Sequence, residues 1–505
     1  MIELDQKIKS AVQQWREENY QGASVVTKRL LEWWFVEEHF VKQEKFKFWR
    51  AQQEAVEALI YVYEVCGYHN LYNLGKNFGV NLNFDLTTDN WPKYCFKMAT
   101  GSGKTLVMAL AMVWQYYNRF LQTNNGRRYA TKFLVIAPNL IVLDRLDEAF
   151  NNNAIFLRDY PMIPPEWIAD WDFQRIFQSE VKPATSRGLI YLTNQHQLYE
   201  TEPEKELNAL AEALGPAVRK NASLNRADLQ EELAHCDELC VLNDEAHHVH
   251  SDDLEWNRAI DRLHQGCLDR KGRGLTMQLD FSATPYTGAG ESKQFFPHII
   301  YDYPLAAAIR DQVVKRPKIG EIEHAPESRA KDFVRQNRLQ IDTGVEVFQR
   351  FQKDLKKSEK KPVLFVMTDV TKNADKVGEY LEETHRLKTL VIHTDAAGVI
   401  TKKDLEEARK AARSIDTNEY QAIVSVMMLK EGWDVKNVCV IVPLRSYAST
   451  ILAEQTLGRG LRRMSPPAAA WEEKLIVIDH RKCWPIPSSC PRCRCGFHIT
   501  MPEAI

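Results

Sequence analysis

Met98-Ala99-Thr100-Gly101-Ser102-Gly103-Lys104-Thr105 stands between the extended-looking Tyr94-Cys95-Phe96-Lys97 and an apolar run from Leu106 to Trp114. Strand, glycine turn and helix follow one another there. Glycines let the backbone curl so that several N–H groups point inward at a phosphate; Lys104 can reach the β/γ oxygens and Thr105 can offer its hydroxyl to Mg²⁺. The helix that follows adds the field of its N-terminus. Thr100, Gly101, Ser102, Gly103, Lys104 and Thr105 are therefore the expected ATP cradle. Met98 stands where this pattern usually opens on glycine or alanine, so a second, distant constellation is required before the turn can carry a function.

The bulk properties bound what that constellation can be. A chain of 505 residues with 44% hydrophobic side chains can build roughly two or three cores of ordinary size. It has no apolar run long enough to cross a bilayer, and Met1-Ile2-Glu3-Leu4-Asp5-Gln6-Lys7 lacks the basic-then-apolar order of a secretion signal. The expectation is a cytoplasmic protein with no membrane partner. A formal charge of −2 argues against a passive coat that binds nucleic acid by bulk neutralisation. The ten cysteines are scattered except at the end, as reduced thiols are.

Residues 1–45 read as a helical N-terminal extension, with Leu30, Leu31, Trp33, Trp34 and Phe35 as its apolar positions. Residues 46–305 alternate short apolar runs with helical stretches. Phe133–Pro138, Gly188–Thr193, Glu238–Asn243 and Leu275–Thr284 read as strands, and a helical insertion is expected at about 200–236. Residues 306–361 form a connecting helical region with a helix at Asp332–Lys357. The alternation then restarts over 362–482, with strands at Pro362–Met367, Thr389–His393, Ala422–Val426 and Val438–Val442 and helices at Ala374–Glu383 and Lys402–Ile415. This order predicts an α/β protein with two parallel-sheet domains, each sheet covered on both faces. Residues 483–505 form a Cys-rich tail.

The second constellation is Asp244-Glu245-Ala246-His247, directly after the apolar segment Leu239–Asn243. At the C-terminal end of a buried strand Asp244 can hold Mg²⁺, directly or through water, while Glu245 polarises the attacking water. His247, His248 and His250 make a poor tetrahedral set, and no matched cysteine pair lies near them. In the tail, Cys490 and Cys493 have loop spacing suited to zinc, with Cys483 and Cys495 beside them. Cys495 crowds Cys493 and no second paired knuckle follows, so Zn²⁺ there is the weaker reading.

With Ser282-Ala283-Thr284-Pro285 and Gln455-Thr456-Leu457-Gly458-Arg459-Gly460-Leu461-Arg462-Arg463, four motifs stand in order. Over roughly residues 46–482 the chain resembles a superfamily 2 helicase or translocase of the DEAD/DEAH-box class. It is most similar to the helicase part of the restriction subunit of type III restriction enzymes. That resemblance implies two tandem RecA-like domains. It also implies that Arg50 and Gln53 recognise adenine, an edge that glutamine can pair. Ser282 and Thr284, with His247, would couple hydrolysis to domain movement. Gly432 and Asp434 would contact nucleotide, Gln455 would orient water, and Arg459 and Arg462 would reach the phosphates of ATP.

The function so implied is ATP-driven movement on nucleic acid, DNA in preference to RNA, in restriction or antiviral defence. ATP and Mg²⁺ are the implied cofactors. A methyltransferase-specificity subunit or a separate nuclease are the implied protein partners, since little remains after Leu475–His480 for a nuclease domain. A nucleotide-gated scaffold that does not translocate is the alternative.

Overall fold

In a computed structural model the described residues are 3–82, 90–122, 126–177, 185–194, 229, 232–248, 255–287, 294–321, 332–356, 360–392, 414, 417–426, 435–444, 458, 460–464 and 473–479. Two compact units emerge. One comprises Met1–Met98 with Gly103–Tyr303, and the other Ala99–Ser102 with Pro304–Ile505.

The first unit opens with helices α1 (Glu3–Glu17) and α2 (Val25–Phe35). On α1, Leu4, Ile8, Val12 and Trp15 are buried, a spacing of three to four residues that puts them on one face. Ser24 caps α2 by accepting a hydrogen bond from the N–H of Thr27. The chain then forms an antiparallel hairpin of β1 (His39–Val41) and β2 (Glu44–Phe46), within a stretch expected to be helical. Its two-residue turn puts Lys42 and Gln43 at positive φ. Neither residue is the Asn or Gly that advertises such a turn, which is why the hairpin escapes a reading by pattern.

Helix α3 (Arg50–Ile60) runs directly into a π-helical turn at Tyr61–Val65, and α4 (Leu71–Phe78) follows. The central sheet of the unit then starts. In chain order its strands are β3 (Lys93–Met98), β4 (Lys132–Ala137), β5 (Phe173–Phe177), β6 (Gly188–Asn194), β7 (Leu239–Asp244), β8 (Met277–Ser282) and, after the short antiparallel pair β9 (Tyr286–Thr287) and β10 (Gln294–Phe295), β11 (Ile299–Tyr303). Every pairing in this seven-stranded sheet is parallel, in the order β11-β3-β8-β7-β4-β6-β5. Between strands lie α5 (Lys104–Leu121), α6 (Leu140–Phe150), α7 (Ala154–Leu157) and α8 (Glu255–Lys271). Strands β6, β7 and β8 are buried along their whole length, as strands covered on both faces must be.

The second unit repeats the architecture. Helix α9 (Leu305–Arg310) leads into β12 (Arg316–Glu321), followed by α10 (Phe333–Leu355), β13 (Val363–Met367), α11 (Thr371–His385), β14 (Thr389–Ile392), β15 (Ala422–Ser425), β16 (Val438–Pro443) and β17 (Lys474–Asp479). These make a six-stranded sheet ordered β12-β17-β16-β13-β15-β14, again parallel throughout. Its core gathers Phe348, Leu364, Val366, Val424, Val440 and Ile478. The fold is thus two α/β units, each built on a parallel sheet, with helices at the N-terminus. Most of the expected insertion at 200–236 and the helix expected at Lys402–Ile415 lie outside the described residues.

Candidate functional site

In a parallel sheet all C-terminal strand ends share one edge, and the crevice outside that edge is where ligands bind. Strands β3, β8 and β7 are adjacent. Their register sets Lys97 beside Ser282 and Asp244 beside Phe281, so the phosphate turn, the Ser-Ala-Thr segment and the Asp-Glu-Ala-His segment all leave the sheet at the same level.

After Met98 the chain makes a tight turn in which Ser102 donates from both its N–H and its hydroxyl to the Ala99 carbonyl. Gly101 and Gly103 have φ of +85° and +88°, a conformation that a side chain would strain. Gly103 is also the residue before α5; its carbonyl accepts from the Leu106 and Val107 N–H groups, so the N–H groups of Lys104 and Thr105 are the ones that open onto the turn. Lys104 begins the helix. Its Nζ lies 3.4 Å from the Glu245 carboxylate, and both side chains are largely withdrawn from solvent.

Asp244 closes β7, fully buried, and its carboxylate accepts a hydrogen bond from the Arg145 guanidinium at 3.0 Å. Burial raises the Asp244 pKa, while the positive charge of Arg145 opposes the shift. Arg145 is thus held by an acidic side chain of the same site. Glu245 sits at φ +51°, a left-handed conformation uncommon for glutamate. This turns its carboxylate toward Lys104. His247 Nδ1 hydrogen-bonds with the Ser282 hydroxyl at 2.9 Å, and that hydroxyl also accepts from the Thr284 N–H at 3.0 Å. A continuous polar path therefore joins the acidic segment to the end of β8.

The residues present suit Mg²⁺ and a nucleotide triphosphate. Asp244 and Glu245 supply hard oxygen ligands or water contacts, Lys104 supplies a cation, and the turn supplies backbone donors. Among the described residues there is no cluster of three or more His, Cys, Asp or Glu side chains able to hold a metal ion unaided.

The upstream element differs from its expected detail. Arg50 pairs with Glu54 on the surface at 2.7 Å, and the Gln53 amide donates to Glu57 at 2.8 Å. Gln52 is instead the residue turned to the phosphate turn. It is buried, its Oε1 accepts from the Trp49 N–H at 3.0 Å, and its Nε2 lies where a Cβ on Gly103 would have to go. Adjacent residues on a helix point about 100° apart, so only the helix start decides which of two glutamines faces the site. With α3 beginning at Arg50, Gln52 is the third helical position, where a glutamine reaches back to the preceding backbone N–H. That capping pattern is the signal by which the sequence could have singled it out.

Gln455, Arg459, Gly432 and Asp434 lie outside the described residues, as does the Cys-rich tail. Arg462 is described in the second unit, next to Leu461, whose carbonyl accepts from the Lys315 N–H.

Residues 45–287 match the family model described as "Type III restriction enzyme, res subunit". A comparison with curated proteins gives no match. Among solved structures, a fragment of a putative HsdR subunit of a type I restriction enzyme from Vibrio vulnificus YJ016 is 14% identical, with 91% of this chain and 67% of that one covered at a TM-score of 0.45. The ATP-dependent type ISP restriction-modification enzyme LlaBIII bound to DNA is also 14% identical, covering 86% and 28% at 0.48. Mycobacterium smegmatis helicase Lhr, bound to ssDNA and AMP-PNP, is 14% identical, covering 92% and 48% at 0.46. The chain thus spans well under two thirds of the length of the last two.

Proposed function

We propose, from the match of residues 45–287 to the type III restriction enzyme res-subunit model, that the chain is a nucleic-acid-dependent ATPase that moves along DNA in restriction or a related antiviral defence. The observation that carries this is the meeting of Lys104, Asp244, Glu245 and Ser282 at the shared C-terminal edge of three adjacent strands. The restriction setting rests on the family match.

In this reading the γ-phosphate enters between Lys104 and Glu245, taking over the positive charge that the carboxylate now holds. Lys104 and the turn N–H groups hold the β- and γ-oxygens, and Gln52 reads the adenine edge. Thr105 and Asp244 would hold Mg²⁺, which would supply charge neutralisation to the phosphates. Glu245 accepts the proton of the water that attacks the γ-phosphorus. Arg459 and Arg462 stabilise the developing charge, and Gln455 orients the water. Gly432 and Asp434 add nucleotide contacts from the second unit. Loss of the γ-phosphate then moves Glu245 and His247, and the His247–Ser282–Thr284 path passes that change to the segment after β8.

Turnover of ATP by the full chain is the test, measured with single- and double-stranded DNA and RNA. Strong stimulation by DNA is expected. Lys104→Ala is expected to abolish both ATP binding and turnover, and Glu245→Gln to retain binding and lower turnover by about 10²-fold or more. Equal turnover with and without every nucleic acid would reject translocation in favour of a nucleotide-gated scaffold.

A further inference from the structure

Helix α3 carries Gln52 at its start and is held along its length by three carboxylates. Glu54 accepts from the Tyr301 hydroxyl of β11 at 3.2 Å. Glu64, in the π-helical turn that prolongs α3, accepts from the Ser24 N–H at 2.5 Å, the Thr27 hydroxyl at 2.6 Å and the Trp114 indole at 3.0 Å. The wider turn swings this carboxylate onto α2 and α5.

Glu57 is the central one, and it is fully buried. A buried carboxylate needs compensation, and α1 and the turn that follows it provide it. Arg16 donates from Nε at 3.1 Å and from a terminal nitrogen to the other oxygen, and Tyr20 donates its hydroxyl at 2.7 Å. The Gln53 amide donates to the same carboxylate from α3 itself. A two-pronged guanidinium–carboxylate pair fixes direction as well as distance. Arg16 therefore sets where α3 lies, and through one and a half turns of helix it sets where Gln52 lies.

The tolerance at that end is small. Gln52 Nε2 occupies the space beside Gly103 that no side chain could share, so a shift of α3 moves the amide relative to the phosphate turn. A hydrogen-bond donor displaced by about 1 Å stops discriminating its partner.

We propose that Arg16 is a positioning residue for purine recognition: through its pair with Glu57, the N-terminal helix determines the selectivity of the site for adenine over guanine nucleotides. This rests on the reading that the site binds ATP and that Gln52 faces the base. Arg16 touches no nucleotide. Its removal alone would leave Glu57 buried and uncompensated, which endangers folding. Two milder changes avoid that. Arg16→Lys keeps the charge and loses the fork. Arg16→Gln combined with Glu57→Gln removes both charges together.

Calorimetric titration of the full chain with MgATP, MgGTP and inorganic tripolyphosphate tests the proposal. In either variant the preference for ATP over GTP is expected to shrink about fivefold or more, as loss of one oriented hydrogen bond would produce. Tripolyphosphate affinity is expected to stay within about twofold, because Lys104 and the turn are untouched. A purely structural Arg16 would lower the melting temperature and leave the ATP:GTP ratio as it was, and that result overturns the proposal. Equal affinity for ATP and GTP in the unsubstituted protein would refute base reading by Gln52, and this proposal with it.

Discussion

Gly103 concentrates the constraints of the site in one residue. Its φ of +88° strains any side chain, and a Cβ there would collide with the buried amide of Gln52. Gly103→Ala is expected to cost about 1–3 kcal/mol of stability and to weaken ATP binding at least tenfold, since either the turn or Gln52 must move. Thermal melting and ATP titration check the two effects separately. The turn itself was legible in the sequence, because glycine, lysine and threonine at this spacing have few uses other than holding phosphate. The choice between Gln52 and Gln53 was not. It depends on where α3 begins, and a boundary error of one residue rotates the wrong side chain into the site. Arg145 was illegible for another reason: its partner Asp244 is 99 positions away, and only strand order brings the two together.

At the scale of elements, the helices α1 and α2 belong to the same compact unit as the first sheet, and the contacts that fix them are polar as well as apolar. The apolar spacing of α1 announces one buried face, but the carboxylate bonds that cross to distant elements cannot be read from a pattern. Asp5 is the clearest case. It is buried on α1, where its Oδ1 accepts from the Asp302 N–H of β11 at 2.7 Å and Lys9 lies 3.3 Å from Oδ2. Burial pushes its pKa up to about 6, with Lys9 only partly offsetting the desolvation. A carboxyl whose folded pKa exceeds its unfolded value contributes stability that is complete below about 4 and is lost as pH rises through 6. Asp5→Asn keeps the acceptor for Asp302 and removes the buried charge. It is expected to stabilise the first unit by about 1–3 kcal/mol at pH 7.5 and to change little at pH 4. Denaturant midpoints at the two pH values decide this, and a variant destabilised at pH 7.5 would show that the Lys9 pair outweighs the burial.

For the whole molecule, the two-sheet architecture was readable because parallel strands buried on both faces appear as unbroken apolar runs, as in Val363–Met367 and Val438–Pro443. Strands that leave that rule were not readable. β12 runs Arg-Pro-Lys-Ile-Gly-Glu within a stretch expected to be a helical connection, yet it forms an edge of the second sheet, where a proline is tolerated. Each unit has its own core, so damage to one should be separable from the other. Phe348 of α10 is fully buried in the second core, and Phe348→Ala is expected to cost about 3–5 kcal/mol there. At roughly 2–4 °C per kcal/mol, that lowers the melting of the second unit by about 10 °C. Scanning calorimetry should then resolve two transitions, the lower moved by the substitution and the upper unmoved. Between them the proposed DNA-stimulated turnover should vanish, because Arg459 and Arg462, to which we assign stabilisation of the developing charge, belong to the unit that has melted. Rapid turnover persisting in that window would mean that the first unit hydrolyses ATP alone, which would refute the role given to the two arginines while leaving Lys104, Asp244 and Glu245 in theirs.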